Sequence, residues 1–145
     1  METLFTLGYQ GHSIDTFSDL VLAHGIARII DVRERPYSRK PDFSKKRLMA
    51  HLEAIGVAYT HIVELGTPKP LRDEVRRTKD YEALFAASRP ILRAQEAALE
   101  QALALALAEP CALLCYEGPA SQCHCTVVAE LLLERAGGAL EVVHL

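Results

Sequence analysis

Nothing in this 145-residue chain approaches the roughly 20 uninterrupted apolar residues that cross a bilayer. The apolar run at 97–108 is short and is interrupted by Glu100 and Gln101, so no membrane association is expected. Met1 is followed by neither a basic segment nor a long apolar one, and no signal peptide is expected. No Cys-x-x-Cys pair occurs, and adjacent residues of Cys123-His124-Cys125 would diverge on a helix, so no zinc site or other cofactor is expected. A G-x-G-x-x-G dinucleotide fingerprint is also missing. Excess positive charge is lacking too. The 16 Lys and Arg stand against 19 Asp and Glu, a net charge of -3, which argues against wholesale binding to nucleic acid or membranes while leaving room for a local basic patch.

What is present is ordinary in bulk and uneven in detail. Half the residues are hydrophobic and 24% are charged, which suits a soluble domain with one sizeable core. A single domain over 1–145 is expected. All four cysteines lie between Cys111 and Cys125. That is poor spacing for a disulfide framework, and with no signal peptide it suggests a reducing cytoplasm.

Strand and helix signals alternate along the chain. Residues 4–9 read as a strand, and Ser13 or Asp15 caps a helix that ends at Gly25. Residues 27–33 form an apolar strand, followed by a polar, Pro-containing loop. Ser44 caps a helix stopped by Gly56, and residues 57–63 form a third strand. Residues 71–107 are helical, with a break expected near Pro90. Residues 111–116 form a fourth strand, 122–135 a helix and 140–145 the last strand. This order predicts a three-layer α/β fold, with a predominantly parallel sheet of about five strands and helices on both faces.

In such sheets ligands bind outside the carboxyl ends of the strands. Those ends carry Gly8 and Tyr9, Asp31 and Arg33, His61 and Glu64, and Cys115 and Glu117. Arg33 leaves its strand at the head of a basic loop that contains Ser38 and Arg39, and a guanidinium fork suits phosphate, sulfate or carboxylate. Asp31, in an apolar strand, needs a partner. Beyond Cys115, Cys123 falls in an expected first helical turn, where the helix dipole favours a thiolate. Glu117 and His124 are the acid–base candidates. Cys111 and Cys125 read as core, and Cys115 reads equally as nucleophile or as packing. His61 reads as packing, and Gly8 to Ser13 as a glycine turn open to a ligand.

The segments Thr6-Leu7-Gly8-Tyr9-Gln10-Gly11, Asp31-Val32-Arg33 with Pro36 and Ser38, Tyr59-Thr60-His61 with Leu65-Gly66, and Cys115-Tyr116-Glu117 with Cys123-His124 occur in this order. Together they resemble the bacterial and archaeal family called domain of unknown function 488, over almost the whole chain. The resemblance implies a compact α/β domain and no settled activity. In that family the last motif usually reads Cys-His-Arg, and here Cys125 stands in place of the arginine. At the level of fold, Asp31-Val32-Arg33 and the Cys115 loop also resemble rhodanese and related phosphatase domains. The phosphate-gripping arginine of a phosphatase loop is missing between Cys115 and Thr126.

The resulting expectation is a small cytoplasmic enzyme acting on a small anionic substrate at the carboxyl edge. Cys115, Cys123, Glu117 and His124 are its catalytic candidates; Gly8, Tyr9, Asp31, Arg33, Ser38 and Arg39 bind the anion. The alternative is a module that binds nucleotide or nucleic-acid phosphate through the basic loop at 33–47. Oligomeric state is open.

Overall fold

Strand periodicity sorts the apolar side chains onto two faces of one sheet. In the computed structural model, which describes residues 1–145, the elements run β1 (Glu2–Gly8), α1 (Ile14–Ala23), β2 (Arg28–Asp31), α2 (Lys45–Ala54), β3 (Ala58–His61), α3 (Lys69–Thr78), α4 (Tyr81–Arg93), α5 (Glu96–Ala108), β4 (Cys111–Cys115), α6 (Cys125–Ala136) and β5 (Leu140–His144). The strands lie in the order β3-β2-β4-β1-β5, and every neighbouring pair is parallel. The fold is the expected three-layer α/β arrangement.

Leu4, Ile30, Cys111, Leu113 and Cys115 face α5 and α6. Their alternates Phe5, Leu7, Ile29, Ala112 and Leu114 face α1 and α2, where they meet Phe17, Val21, Leu48 and Leu52. Burial on both faces explains why β4 reads as a continuous apolar run.

Local signals mostly hold, with instructive departures. Ser13 caps α1 through a reciprocal box with Thr16. Ser44 precedes α2 but does not cap it, because its hydroxyl is engaged with the Ser38 backbone. The helical stretch breaks at two places other than Pro90. Lys79 adopts a left-handed conformation (φ 60°) and closes α3, and Ala94-Gln95 separates α4 from α5. Pro90 lies within α4, less than a turn before the helix ends at Arg93, and its missing N–H removes only the one bond to the Ala86 carbonyl without ending the helix there. The strand expected at 27–33 is shorter, ending at Asp31. The helix expected at 122–135 starts only at Cys125, because Gly118, Pro119 and the residues after them form turns first.

Candidate functional site

The connection leaving β2 runs to the edge strand β3, whereas the one leaving β4 runs the other way, to β5. The carboxyl ends of β2 and β4 therefore flank a crevice where the strand order reverses, the usual ligand position in open α/β sheets. His124, just before α6, donates from Nε2 to the Val32 carbonyl at 2.8 Å and so bridges this crevice from the β4 side. Gly8 ends the next strand over, opposite Cys115. A Cβ on Gly8 would overlap the Glu117 carbonyl, so only glycine lets the loop after β4 cross here. Gly118 N–H donates to Gln10 Oε1 at 3.0 Å, tying that loop to the turn after β1.

A cleft of about 860 Å³ opens over this edge. Eight of the 16 Lys and Arg line it, but only three carboxylates do, Glu34, Asp73 and Glu117. Four of the five tyrosines line it as well. On a chain of net charge -3 this is a local basic pocket with aromatic walls. Several cations already have partners. Arg72 pairs with Glu34, Lys69 and Arg76 with Asp73, and Lys40 donates to the His12 carbonyl at 2.6 Å. Arg35, Arg39 and Lys79 line the cleft and make no ion pair or side-chain hydrogen bond within the protein.

Arg33 occupies the floor, clasped rather than free. Its Nε and Nη2 donate to the two oxygens of Asp31 at 2.9 and 2.8 Å. Nη1 donates to the Phe43 carbonyl at 2.7 Å, and the guanidinium lies 5.4 Å from the centre of the Tyr9 ring. Burial works against its charge, but Asp31 and then Tyr9 more than compensate and raise its pKa. Tyr59 completes the cage with a 2.5 Å hydrogen bond to Asp31. Burial, then the Asp31 charge, raise the Tyr59 pKa, so it stays a donor. Tyr9 stacks on Phe43 at 4.5 Å and meets Tyr116 edge-on at 5.3 Å. Ser38 accepts from the Lys40 N–H and shapes the basic loop, and Arg39 stands exposed on that loop. His61 donates to the Arg33 carbonyl at 2.7 Å, whereas Glu64 is exposed and lies outside the cleft lining.

Glu117 lines the cleft and forms no salt bridge despite the surrounding cations. Burial raises its pKa. His124 also reaches the cleft, and burial lowers its pKa, favouring the neutral ring with the proton on Nε2. The cysteines are placed differently from the sequence expectation. Cys115 and Cys123 are joined by a disulfide, with Cα atoms 6.7 Å apart. Both are buried and neither lines the cleft. Cys123 precedes α6 and does not sit in its first turn, so in this state it is not the expected thiolate. Cys111 and Cys125 are free thiols in the core. Burial pushes Cys111 up to about 12 and Cys125 well above the ordinary thiol value.

One wall was not anticipated from sequence. Lys69, Arg72, Arg76 and Lys79 recur at helical spacing and put a cationic stripe along α3, which faces the cleft and buries none of its residues.

The family profile described as Domain of unknown function DUF488 matches residues 13–132. The chain belongs to this family. No curated protein and no solved structure matches it. The DUF488 match takes in β2, α3, β4 and α6 as far as Leu132, hence all of the cleft wall beyond Tyr9 and Gln10. No helix of this DUF488 chain is long and apolar enough to cross a membrane.

Proposed function

We propose that the protein is an enzyme acting on a small anionic substrate that also carries a planar ring, a nucleotide-like molecule being the simplest case. The observation that carries this reading is the gathering of half the chain's cations and four of its five tyrosines in one cleft at the strand-order reversal. Arg35, Arg39 and Lys79 are the anion ligands, since they alone of the cleft cations make no bond elsewhere in the protein. Arg33 positions Tyr9 and the loop after β2. Tyr37 and Tyr116, 74% and 47% exposed, offer faces on which a ring stacks. Glu117, which lines the same cleft, is the proton-transfer group.

The buried cysteine pair supports this site from behind and is not its nucleophile. A covalent thiol mechanism requires reduction of the pair and an opening of the wall formed by Glu117 and His124. The binding-module reading, in which the basic loop grips nucleic-acid phosphate, is favoured by the two exposed tyrosines, which suit single-stranded bases as well as a free nucleotide.

Calorimetric titration with inorganic phosphate, a nucleoside monophosphate and a short single-stranded oligonucleotide, at low and high salt, separates these readings. A small-substrate enzyme binds the mononucleotide more tightly than phosphate and gains little from the oligonucleotide. A nucleic-acid module binds the oligonucleotide best, and its affinity falls steeply with salt. Absence of binding to all three defeats the anion reading.

A further inference from the structure

The loop after β4 brings more than two sulfurs together. Donor atoms of Cys115, Cys123, His124 and Cys125 all lie within 4.8 Å of one another, and all four residues are buried. The structure pairs two of them as a disulfide. We propose that after reduction of this bond the four residues form a closed site for a borderline-soft divalent cation of the zinc type.

The set has the chemistry of that site. A tetrahedral zinc with Zn–S bonds of about 2.3 Å holds its sulfurs about 3.8 Å apart, a spacing that fits within the 4.8 Å cluster. Three thiolates and an imidazole select a zinc-like cation over magnesium or calcium, which require oxygen ligands. His124 is already oriented by the outer contact a metal-bound histidine needs. Its Nε2 donates to the Val32 carbonyl, which leaves the Nδ1 lone pair for the cation. Residue spacing hides the cluster because α6 starts at Cys125. Cys123 and His124 lie in the turn before it, so three consecutive residues converge instead of fanning around a helix. No side chain caps α6; its Thr126 and Val127 N–H groups donate to the Cys123 and His124 carbonyls and so brace the turn that carries the ligands.

Opening the site takes one external reductant. A dithiol gives two electrons and two protons to the Cys115–Cys123 bond and leaves as its own disulfide. The cation then displaces three thiol protons, while His124 contributes a lone pair and loses none. Four protein ligands complete the tetrahedron, which makes the site structural rather than catalytic. In either state the loop from Tyr116 to Gln122, with Glu117 on it, is tied at both ends: by sulfur–sulfur when oxidised, by the cation when reduced. The proposal does not depend on the anion reading, since none of the four donors is one of its anion ligands.

The test is titration of the whole protein with Co²⁺, after reduction by a phosphine and separately in the oxidised form. The expected result is one equivalent of cobalt per reduced chain, with thiolate charge-transfer bands and tetrahedral d–d bands, and none in the oxidised chain. Cys125→Ser should weaken binding at least tenfold. Arg39→Ala should leave it unchanged. Because Cys125→Ser sits in the core, alkylation of wild-type protein read by mass spectrometry provides a second measurement. Zn²⁺ should protect Cys115, Cys123 and Cys125 and leave Cys111 unaffected. Octahedral or substoichiometric cobalt in the reduced wild-type chain, undiminished binding by a folded Cys125→Ser, or zinc protection that fails to distinguish Cys111 overturns the proposal.

Discussion

Arg33 and Asp31, two residues apart, close on each other in a two-pronged ion pair at 2.9 and 2.8 Å, with 7% and 0% of their side chains exposed. The pair sits where β2 leaves the sheet and turns a charged strand end into a fixed strut. Because Arg33 also holds the Phe43 carbonyl, the strut ties together the two ends of the stretch that carries Arg35 and Arg39.

Breaking that pair strands a buried charge. Asp31→Asn and Arg33→Ala should each cost about 3–5 kcal/mol, because the remaining partner loses its counter-charge in a desolvated place. Urea unfolding at neutral pH measures this. A loss below about 1 kcal/mol for either variant would mean that water reaches the site and screens the pair.

Anion affinity should follow position and not total charge. Arg39 lines the cleft, whereas Lys45 and Lys46 do not. Removing one charge-assisted contact is worth about 1.5–3 kcal/mol, so Arg39→Ala should weaken nucleotide or phosphate binding by at least tenfold. Lys45→Ala and Lys46→Ala should change it little. Equal losses at all three positions would indicate a diffuse basic surface.

Lys79 offers a trade between stability and binding. It is the one non-glycine residue with positive φ, at 60°, a conformation costing an L-residue roughly 1–2 kcal/mol that glycine avoids. Lys79→Gly should therefore stabilise the fold by up to about 1 kcal/mol while reducing anion affinity. Thermal unfolding and titration of the same variant give both numbers. Lost stability would mean that the lysine stem packs in a way that offsets the strain.

Gly8 should tolerate no side chain. Its Cβ would overlap the Glu117 carbonyl, a backbone atom that can yield only by moving the loop after β4. Gly8→Ala should cost about 1–3 kcal/mol. Gly11→Ala, with open space around it but positive φ, should lose stability through strain alone and leave Glu117 in place. Chemical shifts of the Glu117 to Gln122 amides distinguish the two.

Alkali should unfold the protein partly through Cys111. Burial raises that thiol to about 12 in the folded state, above its value of about 8.5 in an unfolded chain. The folded state therefore holds its proton longer. The contribution is complete below the unfolded thiol pKa and is lost as pH rises from there to about 12. Cys111→Ala should flatten this alkaline limb of the stability curve, measured by urea midpoints between neutral and strongly alkaline pH.

The fold was legible because the three central strands, β1, β2 and β4, advertise their burial. β4 is apolar at every position, and the helices on either side carry apolar faces bounded by glycine or a capping hydroxyl. The carboxyl edge followed from that order alone, and Asp31, Arg33, Tyr9 and Glu117 do converge there. Sequence could not show that Arg33 would be clasped by Asp31, since an arginine beside an aspartate reads equally as a ligand-binding group and as a strut. The α3 stripe was legible in principle from the spacing of Lys69, Arg72, Arg76 and Lys79, but it required knowing which way the helix faces. The cysteine cluster was hidden by a helix start displaced by three residues, enough to change which side chains converge.

The strand order has a consequence for biosynthesis. β1 is synthesised first, yet both of its neighbours, β4 and β5, come from the last third of the chain. β2 has only β3 beside it until Cys111 to Cys115 emerge and slot between β2 and β1. A nascent chain stalled before Cys111 therefore holds one two-stranded ribbon and a solitary apolar strand, neither able to persist alone. The protein commits to its structure late in translation, and until then β1 is a segment for chaperones to shield.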